Sequence, residues 1–324
     1  MFHTQDQNGR RALETPLLTL EDIASSPRFL EIEVRIARHL VSIHEKSPRL
    51  ARLKASHQKW FLTQMLFALQ LERDESEAQS GLTPSRLYEA VARYGIASRN
   101  TAASLLSEMQ VYRFLRKIPN LQDRRMHVYE TTEIADTAML SWFNGHMACL
   151  DELDGGNRLA LSESTPQLFA MSQPRAARAL MDDPSWRELP ETIGSFIWSE
   201  SGGMILHELV SRLTVECFEA ERVYIGEVGI AELARKYTIS VTNLKRMFNP
   251  TEDNGHAGWE KPRRKGRLWF SRGFMDDYFA WQATKFAALD EAVHWAAERL
   301  DASGKLGSGV TPVADCNPRM ATSA

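Results

Sequence analysis

Short polar and basic side chains gather at two places where a helix is expected to begin. Ser98-Arg99-Asn100-Thr101, with Ser104 one turn on, is the first set; Thr242-Asn243, with Lys245 and Arg246, is the second. An amide of this kind pairs bidentately with an adenine edge, a guanidinium with a guanine edge, and a hydroxyl with either. Each set is followed by a basic cluster, Arg124-Arg125 after the first and Arg263-Arg264-Lys265 after the second. Such clusters contact phosphates or enter a narrow minor groove. The chemistry spelled is recognition of double-stranded DNA. Taken singly, the same residues also serve as helix caps and solvated turns, so the elements around them must decide.

Bond-making chemistry finds less support. His207-Glu208 begins a zinc-protease-like pattern, but Ser211 stands where its second histidine is needed. His146 and Cys149, at helical i, i+3 spacing, supply half a metal site without further ligands nearby. Gly304-Lys305 lacks the upstream Walker glycine, Arg299 being there, and Ser199-Glu200-Ser201-Gly202-Gly203 does not flank a serine with glycines as a nucleophile elbow does. No catalytic residue, metal ligand or cofactor is expected.

The elements that would carry the two polar sets are mostly helical. Apolar periodicity predicts helices over Leu30–His44 and about His57–Glu77. Thr83-Pro84 opens another, ended by Gly95 near Tyr94, and Ser98 caps the next, which runs to about Met109 or Gln110. This is helix-turn-helix spacing. Alternation over Tyr112–Ile118 and His127–Thr131, around a polar turn with Asp123-Arg124-Arg125, predicts a β-hairpin, and a helix follows from Glu133 to about Leu153. Gly155-Gly156 and Pro166, Pro174, Pro184 and Pro190 suggest a linker with one short helix over Arg175–Met181. Beyond it are expected a helix over Met204–Arg222, a second helical pair, a basic stretch from Lys261 to Arg267, a strand at Leu268-Trp269-Phe270 and a long helix over Gly273–Leu300.

The second half replays the first. Glu89, Tyr94, Ile96 and Asn100 meet Glu232, Tyr237, Ile239 and Asn243 at an offset of 143. The expected fold is therefore mainly α with short β-hairpin wings: tandem winged helix-turn-helix domains joined by long scaffold or dimerisation helices. The division is an N-terminal extension at 1–27, a first winged domain at 28–153, a linker at 154–190, a second winged domain at 191–301 and a disordered tail at 302–324.

Charge follows the repeat. The 324 residues carry a net charge of −3, which as a whole-chain figure argues against a nucleic-acid partner. Residues 86–127, however, hold eight Lys or Arg against three acids, and residues 235–272 hold ten against three. Two segments at +5 and +7 leave −15 for the remainder. The acidity belongs to the scaffold, which limits indiscriminate attraction to DNA. No apolar stretch is long enough to span a membrane, the first 14 residues are polar, and three scattered cysteines read as reduced thiols. The expected compartment is the cytoplasm, at the nucleoid. Trp142 with Phe143, and Trp281, Phe286 and Trp295, lie at helical spacing and are expected in a core or dimer surface.

Residues from about His57 to Leu153 resemble the MarR family of bacterial winged helix-turn-helix transcription regulators. The resemblance rests on Ile96-Ala97-Ser98-Arg99-Asn100-Thr101-Ala102, on Asp123-Arg124-Arg125 and on Thr131-Thr132-Glu133. It implies a wing in which Arg125 reaches DNA while Asp123 holds the hairpin, and a homodimer whose terminal helices pack together. One chain with two such units could instead form that pair internally. The expectation is a sequence-specific transcription regulator binding double-stranded DNA, with no membrane partner and no effector assigned. A non-catalytic protein-interaction adaptor and a replication-initiator-like DNA binder are the alternatives.

Overall fold

The computed structural model describes residues 13–46, 56–77, 79–119 and 126–306. The chain is mainly helical, with a two-stranded and a three-stranded antiparallel sheet. A short α1 (Leu20–Ala24) is fixed by a Thr19–Asp22 capping box and buries Ile23 against the last long helix. Next, α2 (Phe29–Lys46) carries two apolar stripes rather than one. Ile32, Ile36 and Leu40 face one core, while Val34 and Ala37 face another. Their spacings of four and of three place the stripes side by side on the helix surface.

The first core gathers around α3 (His57–Leu71), α4 (Pro84–Tyr94), α5 (Arg99–Val111), the hairpin β1 (Leu115–Pro119) with β2 (His127–Thr131), and α6 (Glu133–Asp154). Residues 154–190, expected as a linker, instead form α7 (Arg158–Ser164), α8 (Pro166–Asp182) and α9 (Pro184–Arg187). The prolines misled for a physical reason. Pro166 and Pro184 occupy first-turn positions, where the missing N–H costs nothing. Among the prolines of 154–190, Pro174 alone lies inside a helix. α8 packs on α3 and on the long C-terminal helix, and Arg158 at the start of α7 is wholly buried among Asp151, Asp154 and Asp290.

The second core contains α10 (Glu191–Ile197), α11 (Gly202–Val210), β3 (Arg222–Glu227), α12 (Ile230–Lys236), α13 (Val241–Asp253), β4 (Ala257–Lys261) and β5 (Lys265–Ser271). The helix expected over Met204–Arg222 stops at Val210, and the chain returns as β3, with Val223 and Ile225 turned inward. Strands order as β3-β5-β4. Finally α14 (Arg272–Ala302) crosses both cores: Phe274, Met275 and Tyr278 belong to the second, and Ala283 through Leu300 to the first. The division drawn at 154–190 is bridged by α2 from the first side and α14 from the second, each of which has residues in both cores. Of the tail expected to be disordered, Ala302 closes α14 and Leu306 is buried, and residues 307–324 lie outside the described residues.

Candidate nucleic-acid interface

Each polar set opens a helix of 13 residues, α5 and α13, entered through a tight turn from the helix before it. Gly95 makes the first turn in the left-handed region at φ 63°, and Thr238 makes the second at φ 56°. Ser98 then caps α5, accepting from the Thr101 N–H at 3.1 Å, and Ser240 caps α13, accepting from the Asn243 N–H at 3.0 Å. Each cap is worth about 1 kcal/mol. Counting from Gly95 and Thr238 preserves the offset of 143, but counting from the caps gives 142, because the second turn is one residue shorter. Asn100 therefore shares its place with Thr242, and Asn243 shares its place with Thr101.

The correspondence continues past the helices. Phe114 N–H donates to Met109 O at 2.8 Å where α5 ends, and His256 N–H to Thr251 O at 2.8 Å where α13 ends. Leu115 pairs with Thr131 across the first hairpin, and Ala257 with Phe270 across the second. Thr132 N–H closes onto Phe114 O at 3.0 Å, and Ser271 N–H onto His256 O at 2.8 Å. Even the third strand has its counterpart, since a bridge of Leu82 to Tyr129 matches the pairing of β3 with Leu268.

On α5, Ser98, Arg99, Asn100 and Ser104 are exposed, whereas Thr101 is half-buried with its hydroxyl 2.9 Å from Ser98 Oγ. The Arg99 guanidinium lies 4.8 Å from the centre of the Tyr88 ring, which steadies it. Arg124 and Arg125, with Asp123, lie outside the described residues. On α13, Thr242, Asn243, Lys245 and Arg246 are all exposed, while Leu244, Met247 and Phe248 anchor the opposite face.

The second hairpin turn divides its basic cluster. Arg263 and Lys265 are exposed, but Arg264 folds back onto α13. Its Nη2 donates to Asn249 Oδ1 at 2.7 Å, its guanidinium pairs with Glu252, and it lies 5.4 Å from the Trp259 ring. Arg264 fastens the turn to the helix. Asn249, exposed one turn beyond Lys245, belongs to the same face and was passed over in the sequence, although its i+4 spacing from Lys245 marks it.

Some positive charge counted in these segments is spent internally. Lys236 pairs with Glu45 at 2.8 Å and Glu208 at 2.6 Å, Arg267 with Glu260 at 2.8 Å, and Arg116 with Glu130 at 2.8 Å. Burial works against the Glu208 charge, yet hydrogen bonds from Lys236 and Arg212 hold its carboxyl below the usual range.

His207, the histidine of the protease-like pair, is buried against Tyr278, and His146 Nδ1–H donates to Trp142 O within its own helix. Among the described residues no group of His, Cys, Asp and Glu is arranged to hold a metal, and no helix is long and apolar enough to cross a membrane. No protein-family model, curated protein or solved structure matches the chain.

Proposed function

We propose that this chain is a non-catalytic transcription regulator that binds double-stranded DNA through two winged helix-turn-helix units similar to those of the MarR family. One observation carries the reading. The same sequence of turn, capped 13-residue helix, hairpin register and closing hydrogen bond occurs twice, and both times the first turns of the second helix point short polar and basic side chains outward. A helix that enters the major groove needs that face free and its other face packed. In this reading Ser98, Arg99, Asn100 and Ser104 meet base edges from the first unit, and Thr242, Asn243, Lys245, Arg246 and Asn249 from the second. Arg263 and Lys265 bind phosphates.

Selection of bound duplexes from a random pool, using the full chain at moderate salt, tests this. Enrichment of a motif with two half-sites is expected. Recovery of an unenriched pool would leave the two surfaces without a nucleic-acid role and favour the protein-interaction adaptor.

A further inference from the structure

Aligned on their caps, α5 and α13 place unlike side chains at their first helical position. Ser98 and Ser240 are equivalent caps, so Arg99 and Val241 are equivalent first residues. Val241 is 38% exposed and belongs to neither core. A lone exposed valine needs no explanation in itself; its setting gives this one meaning. Lys245 follows Val241 by four residues and Arg246 follows Thr242 by four, so all four side chains share one outward face of the helix. Among the described residues, Val241 is the one large apolar side chain exposed on the first turn of either reading helix.

The difference extends to a second position. Arg99 lies over the ring of Tyr88 on α4. Because Gly95 corresponds to Thr238 at the entering turns, Tyr88 corresponds to Ala231 on α12, which is exposed. The second unit therefore lacks both the guanidinium and the ring that steadies it. Where one half presents a stacked fork of five donors, the other presents only methyl groups.

The major groove has one group suited to such a side chain. Thymine carries a methyl group there, which apolar side chains contact, whereas guanine presents two acceptors that a guanidinium takes bidentately. We propose that Val241 reads a thymine of the second half-site through its methyl group, at the position where Arg99 reads a guanine of the first. The inference rests on the DNA-binding reading and adds a base to it: two helices with equivalent caps select different bases at equivalent places. Lys245 and Arg246, on the same face, hold the valine in the groove by their charge.

The test begins with duplexes selected from a random pool by the full chain. In the enriched motif each thymine is replaced singly by deoxyuridine, which removes the methyl group and nothing else. One replacement should weaken binding about fourfold, the effect of one buried carbon. Val241→Ser should bind the thymine and deoxyuridine duplexes alike at that position. Selection repeated with Val241→Arg should return the same motif with guanine in place of that thymine, preferred about tenfold. Val241 is exposed, so both variants should keep the melting temperature of the parent chain. An enriched motif in which no thymine methyl matters, or in which its effect survives Val241→Ser, would overturn the inference and leave the DNA-binding reading standing. An unchanged motif from Val241→Arg would do the same. An unenriched pool with the parent chain would remove both.

Discussion

The two halves of the molecule build one arrangement with different fastenings. In the second, a three-residue turn joins β4 to β5, and Arg264 reaches back from it to Asn249 and Glu252 on α13. In the first, seven residues separate Pro119 from His127, and among the described residues the hairpin is held near its base, where Arg116 and Arg73 both pair with Glu130. The entering turn differs as well, with glycine at the left-handed position in one half and threonine in the other. Shared backbone hydrogen bonds at unequal sequence lengths teach that the backbone closure is the conserved unit of design, while turn length and side-chain fastening are free to vary.

The strongest way to break the comparison is to show that the halves are separate bodies. Phe286 lies on α14 within the first core and touches Phe29, centroids 6.0 Å apart. Phe286→Ala should cost about 3–5 kcal/mol. Because α14 and α2 serve both cores, thermal melting should remain a single transition at lower temperature. Two resolved transitions would mean that the halves unfold alone.

Next in size is the division of binding labour. Under the proposed function, replacing Thr242, Lys245 and Arg246 together by Ala should weaken duplex binding by about a hundredfold or more, and the pair Arg99→Ala and Asn100→Ala by about thirtyfold or more, following about 1–3 kcal/mol for each good base contact. Equal losses, read by titration at fixed salt, would erase the expected asymmetry.

A smaller effect separates fastening from contact. Arg264→Ala should lower stability by about 1 kcal/mol and leave the salt dependence of binding nearly unchanged, since its charge is already matched by Glu252. Arg263→Ala or Lys265→Ala should reduce that salt slope by about one. A slope lowered by Arg264→Ala would move this arginine to the DNA.

Two further effects have opposite signs, at His294 on α14 and at His207 packed against Tyr278 of the same helix. Burial opposes the His294 charge, but the hydrogen bond and attraction of Asp290 prevail and raise its pKa to about 9. Its contribution is fully present below about 6.5 and is lost as pH climbs to about 9. Burial, helped by the Lys285 charge, lowers His207 to about 3. His207 therefore stays neutral in the fold and costs stability as pH falls below about 6.5. Urea midpoints from pH 5 to 9 should show a flatter alkaline limb in His294→Gln and a flatter acidic limb in His207→Gln. An unaltered limb in either variant would remove that histidine from the balance.

Much of this was legible in the sequence because the signals were local. Thr83-Pro84, Gly95 and Ser98 announce the α4–α5 turn, and alternation announces the first hairpin. The pairing of Asn100 with Asn243 was misleading, because the shorter second turn has no counterpart of Ala97 and slides the helices by one. Prolines over 154–190 hid α7, α9 and the first half of α8, of which only the stretch Arg175–Met181 was expected, since a first-turn proline and a loop proline look alike until the neighbouring core is known. β3 was hidden for the converse reason. Its pairing partner, β5, lies about 40 residues away, and strand pairing that distant leaves no local trace. Arg264 likewise could be seen as a charge but not as a charge already matched.

α14 has a final consequence. Its 31 residues span about 46 Å at 1.5 Å per residue, and both cores are built onto it. Under the proposed function the distance between the two reading helices is a property of one covalent chain, unaffected by dilution or subunit exchange. Symmetry is then no longer required of the target. Each half of the protein is free to read a different half-site, and an operator matched to this chain need not be a palindrome.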